Sequence, residues 1–175
     1  MKRGILASCM VILSLVMGCA TATNIAVSSP PVQTGGNEYY EARLEPLKSS
    51  GNFFDSFRLT VANKTDGNLE IDWNKTRYLF NGAAQEGFVY KGISPKDVRS
   101  GKVPLDTIAA RQTATRVIYP LRLAAWVPAQ ERTLDKGLSP GLLPDGENGI
   151  SLVVIRDGKE VVEKLTVKIS EKEVK

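Results

Sequence analysis

The sequence predicts an all-β protein, an antiparallel β-sandwich of about eight strands. Three observations predict it. Short runs alternate apolar and polar residues with period two, as a strand with one face on a core requires. Clusters of Gly, Asn, Asp and Pro separate those runs. After residue 19, no segment carries an apolar stripe at helical spacing over three turns.

The alternation starts at Tyr39. Tyr40, Ala42 and Leu44 alternate with Glu41, Arg43 and Glu45. Phe57, Leu59 and Val61 alternate with Arg58, Thr60 and Ala62. Leu69, Ile71 and Trp73 alternate with Glu70, Asp72 and Asn74. The turn cluster 63–68 (NKTDGN) predicts a hairpin between the second and third of these runs. Segments 77–80, 87–90 and 113–119 are further short strands. Segment 121–127, bounded by Pro120 and Pro128, reads as a strand or a short helical turn.

The stretch 138–149 (LSPGLLPDGENG) reads as loop. Segment 150–156 is nearly all apolar and β-branched, the pattern of a central strand. Asp157-Gly158 is a favoured two-residue hairpin turn. Leu165, Val167 and Ile169 then alternate with Lys164, Thr166 and Lys168. Val161-Val162 breaks that alternation and predicts a bulge.

The immunoglobulin-like arrangement is the expected version of the sandwich. It is read from strand pattern alone, since the Cys-Trp-Cys hallmark is missing. The stretch 59–65 (LTVANKT), followed by Leu69-Glu70-Ile71-Asp72, resembles the opening hairpin of small exported immunoglobulin-like modules of bacteria. That likeness covers only these residues and implies no activity.

The N-terminus has a different character. Lys2 and Arg3 precede an uncharged, mostly apolar run from Ile5 to Met17, and Val16-Met17-Gly18-Cys19 closes it. Basic start, apolar core and small residue are the parts of a secretory signal. The cysteine at the cut resembles the lipobox of bacterial lipoproteins. Val16 and Gly18 fit that pattern, and Met17 is bulkier than usual. The resemblance implies that Cys19 becomes the lipidated first residue, with a diacylglycerol thioether and an N-acyl chain. More than one chain satisfies the requirement for lasting attachment. The resemblance also implies an outer-membrane address, because Ala20 rather than Asp follows the cysteine.

Two alternatives stand beside it. A transmembrane anchor would need about 20 apolar residues, more than this run offers. An ordinary secretory signal would be cut after Ala20 or Ala22. The expected organisation is a signal over 1–18, a lipidated cysteine with a flexible tether over 19–37, and one sandwich domain over 38–175. The tether reading rests on an uncharged Ala/Thr/Ser/Pro/Gly composition; residues 24–27 could instead pair as a short edge strand.

Composition excludes several functions. Cys9 leaves with the signal, so no disulfide can form within the mature chain and an ordinary core must hold it. There is no histidine. Ser-His-Asp, Cys-His and the usual zinc sites are therefore excluded. Removing Lys2 and Arg3 lowers the formal charge of +4 to about +2, with both signs interspersed, so no nucleic-acid face is expected.

The remaining candidates are each weighed against a plain structural role. Asn63-Lys64-Thr65 and Asn74-Lys75-Thr76 match the glycosylation pattern but also suit turn ends. Asp145, Glu147 and Asn148 could offer oxygens to calcium, but fall short of the six to eight such a site needs. Glu70 and Asp72 are a conceivable carboxylate pair on a solvated strand face. Trp73 reads as core. Trp126, Phe54 and Tyr39 are the candidates for a recognition surface.

The sequence thus leads to a non-catalytic lipoprotein, with no metal or cofactor, held in the outer membrane and facing the periplasm or the cell exterior. Its membrane contact is the lipid anchor, and its expected partner is another envelope protein. The alternative is a module that binds a small molecule or a glycan at the loops around Trp126 and 138–149.

Overall fold

The computed structural model describes residues 23–49, 51–90, 92–93, 95–126 and 138–174, with the backbone alone at Pro95, Trp126 and Leu138. Its strands are β1 (Thr23–Ser29), β2 (Gln33–Gly36), β3 (Tyr40–Leu47), β4 (Ser56–Asn63), β5 (Leu69–Ile71), β6 (Arg77–Phe80), β7 (Ala83–Ala84), β8 (Phe88–Tyr90), β9 (Asp106–Ile108), β10 (Thr113–Pro120), β11 (Ala125–Trp126), β12 (Leu138–Ser139), β13 (Gly146–Arg156) and β14 (Lys159–Val174). One short helix, α1 (Pro95–Ser100), lies between β8 and β9, and a 3-10 turn follows β10 at Leu121–Leu123.

The protein is an all-β antiparallel sandwich. One sheet runs β1-β14-β13-β5-β9, with β6 and β7 joined to it through β13. The other runs β2-β3-β4-β10-β8. The alternating residues do what period two demands. Tyr40, Ala42, Leu44, Phe57, Leu59 and Val61 from one sheet face Ile150, Leu152, Val154, Leu165, Val167 and Ile169 from the other, all buried in one core. Each of the Phe, Leu, Ile and Val side chains contributes about 1.5–3 kcal/mol on burial.

Strands β5 and β6 are two pieces of one line along β13. Ile71 lies opposite Val154, and Arg77 lies opposite Ser151. The chain between them loops out in a tight turn, in which the amide of Thr76 donates to the Asp72 carbonyl at 2.9 Å. The Thr76 hydroxyl donates to the same carbonyl and accepts from the Val153 amide, so the interrupted ladder keeps its partners.

Several expectations need correction. The tether over 19–37 is not flexible throughout. Thr23–Ser29 pairs residue by residue with Lys168–Val174, and Gln33–Gly36 pairs with β3. Segment 23–36 carries the chain from one sheet to the other and closes that side of the sandwich.

The 63–68 cluster does not make a hairpin. β4 and β5 lie in different sheets, because the Asn63 amide is anchored on the far carbonyls of Ile108 and Ala109 at 3.1 and 3.0 Å. The bulge at Val161-Val162 is absent. The register is continuous, with Val161 opposite Val154 and Val162 opposite Val153. A valine on each face breaks the alternation without breaking the ladder. The 138–149 stretch is not all loop: Leu138–Ser139 pairs with Ala125–Trp126, and β13 starts at Gly146. The closing hairpin forms as expected, with positive φ at Asp157 and Gly158.

Candidate functional site

The sandwich has two distinguishable ends. At one end lie the start of β1 and the end of β14, since Thr23 pairs with Val174. Asn52, between β3 and β4, reaches the same end, where the Ala26 amide donates to its carbonyl at 2.8 Å. The segment before β13 joins them through Leu143, whose amide donates to the Phe54 carbonyl at 2.8 Å. The other end carries the β13–β14 turn.

The predicted recognition residues divide between these ends. Phe54 is half-buried, with the Lys48 ammonium 4.9 Å above its ring. Trp126 pairs through its backbone with Leu138 at that same end; its side chain lies outside the described residues. Tyr39 is at the opposite end, under the Arg156 guanidinium at 4.2 Å. Both cations sit in cation–π range. One surface therefore cannot hold all three residues. Cys19 lies outside the described residues.

A groove opens beside the 72–76 turn. Its walls include Trp73, Arg77, Gln85, Glu86 and Arg99, and its volume is about 420 Å³. Trp73 is buried and packs against Tyr90, ring centroids 4.8 Å apart. Its indole N–H has no hydrogen-bond partner. Burial pushes the Tyr90 hydroxyl up to about 12, so it stays neutral. The Arg116 guanidinium lies 6.0 Å from the Tyr90 ring and is held by Asp106 through two bonds of 2.9 Å. Arg77 donates to the Asn74 and Thr76 carbonyls at 2.7 and 3.0 Å. A smaller hollow of about 190 Å³ continues past Gln85 to Tyr78, Arg122 and Pro144.

Sequence reasoning missed this groove. Its residues come from the β5–β6 turn and the start of β6, the β7–β8 connection, α1 and the 3-10 turn after β10, and no local pattern links those segments.

The other candidates resolve into structure. Asn148 is fully buried; its oxygen accepts from the Tyr78 hydroxyl, and its amide donates to Pro144 and Gly146. That oxygen faces the core rather than a calcium loop. Asp72 is buried in its turn and accepts from the Asn74 amide at 2.9 Å. The Asn74 side chain exchanges two hydrogen bonds with Val103, at 2.7 and 2.8 Å. Asn63 and Asn74 are thus structural anchors, which accounts for both Asn-Lys-Thr triplets. Among the described residues, no group of three acidic or cysteine side chains is placed to hold a metal, and no helix is long and apolar enough to cross a membrane.

A scan against protein-family models, a search of curated proteins and a search of solved structures each found no match.

Proposed function

We propose that this chain is an outer-membrane lipoprotein, anchored by acyl chains on Cys19, whose non-catalytic β-sandwich binds or supports another envelope component. The observation that carries this reading is the sequence Val16-Met17-Gly18-Cys19 at the end of an apolar run, closely followed by the first strand at Thr23. The fold supports a binding role. The strand order, β3-β4-β10-β8 in one sheet and β14-β13-β5/β6 in the other, supports the immunoglobulin-like version of the sandwich. The buried polar side chains Asn63, Asp72, Thr76 and Asn148 are engaged in holding the chain itself.

Loops, rather than strand edges, are the better candidates for contact. The outer edge of β1 is interrupted where Ala26 bonds Asn52. The β2 edge packs against β14, with Gly35 close to Leu165. The edges at β8 and β9 are three residues each, short as protected edges are.

Metabolic labelling with radioactive palmitate tests the anchor: label is expected on the wild type and absent from Cys19→Ser. In-cell crosslinking of the full lipidated chain tests the partner. Recovery of no envelope protein would count against that half of the reading.

The groove supports a second reading, a small-molecule or glycan-binding lipoprotein. Its size falls within the range of ligand sites, and its walls combine two guanidiniums with amide and carboxylate groups. A thermal-shift screen with neutral and acidic oligosaccharides tests it. A shift seen in the wild type and lost in Arg99→Ala is expected; no shift across the set contradicts it.

A further inference from the structure

We infer that the sandwich stands end-on to the lipid bilayer, with the Thr23/Val174 end against the membrane and a rim of Lys48, Phe54 and Leu142 in contact with it. This rests on the reading of Cys19 as the acylated residue.

The leash is the first argument. Only Ala20, Thr21 and Ala22 separate Cys19 from β1. Four backbone steps span at most about 14 Å. The start of β1 is itself fixed, because Thr23 to Val27 pair with Ser170 to Val174. Those β14 residues extend past the end of β13, whose last partner in that direction is Ile169. Three residues after Cys19, the described chain is thus already part of a two-stranded ribbon. The opposite end, at Lys159, is about 50 Å from Val174 along β14, by strand rise.

The chemistry of the near end is the second argument. Leu142 is 58% exposed and Val174 is 43% exposed. Leu142 adjoins Leu143, which is bonded to Phe54, and the Lys48 ammonium caps the Phe54 ring. Exposed aliphatic groups beside an aromatic ring and a long cationic side chain suit the interface between lipid tails and water. The ribbon itself carries Glu171, Lys172 and Glu173, so attraction to anionic lipid is not required.

The test uses the full lipidated protein in phosphatidylcholine vesicles carrying bromine-labelled acyl chains. Acylation occupies the thiol of Cys19, so Leu142→Cys, Val174→Cys and Lys159→Cys each offer one site for a fluorophore. Bromolipid quenching is expected to be several-fold stronger at positions 142 and 174 than at 159. Mass spectrometry of the Cys19 peptide is run on the same preparations. Acylated Cys19 with equal quenching at all three sites, or strongest quenching at 159, overturns the orientation and leaves the anchor standing. Unmodified Cys19 overturns the anchor and the orientation with it.

Discussion

The Tyr78 hydroxyl donates to the Asn148 side-chain oxygen at 2.5 Å, with both residues buried in the core. The contact ties β6 to the start of β13, and the Asn148 amide in turn ties down Pro144 and Gly146. Tyr78 and Pro144 also wall the hollow beside the groove. Tyr78→Phe leaves a buried acceptor without its donor. Urea unfolding should show a loss of about 1–3 kcal/mol. An unchanged midpoint would mean the bond carries no net stability.

Alkaline pH should destabilise the fold. Burial pushes Tyr40 and Tyr90 up to about 12 and Tyr78 higher still, from an ordinary value of 10.0. A raised value favours the neutral phenol in the folded state. Its contribution is fully present below the unfolded value and is lost as pH rises through the window from about 10 to 12 and beyond. The urea midpoint should therefore fall between about pH 8 and about pH 11. Absorbance titration should show phenolate forming late at these tyrosines and sharply on unfolding.

The seam between β2 and β14 depends on Gly35. A Cβ there would stand 2.6 Å from Leu165 Cδ2 and 2.8 Å from Glu163 Oε1. Leu165 is fully buried and has little room to yield. Gly35→Ala should cost about 1–3 kcal/mol in thermal or urea unfolding, as overpacking does.

The ribbon should fail as a pair. Truncation after Ile169 removes Ser170 to Val174, the partners of Thr23 to Val27. Amide hydrogen exchange is expected to lose protection across the first part of β1 while β13 stays protected. Protection retained in β1 would show that the loop at Asn52 holds it alone.

Much of the sandwich was legible in the sequence. The faces of β3, β4 and β14 follow directly from alternation, and Trp73 lies in the core as its apolar position predicts, although a turn, not a strand, puts it there. Connections leave a weaker mark in the sequence. A cluster such as 63–68 has the same composition whether it folds back or crosses between sheets. The anchoring of Asn63 by residues 45 and 46 positions away decides between them. Thr23–Ser29 has the composition of a linker, and that uncharged composition says nothing of β14, its partner at the far end of the chain. The groove leaves no local mark for the same reason, since separate segments of the chain build it.

In the proposed function, Cys19 is the acylated first residue of the mature protein. Intact mass and peptide mass spectrometry of the protein extracted from membranes test it most directly. The expected result is a mature chain beginning at Cys19 with a diacylglycerol thioether and an N-acyl group. A chain beginning after Ala20 or Ala22, or an unmodified Cys19, would contradict it.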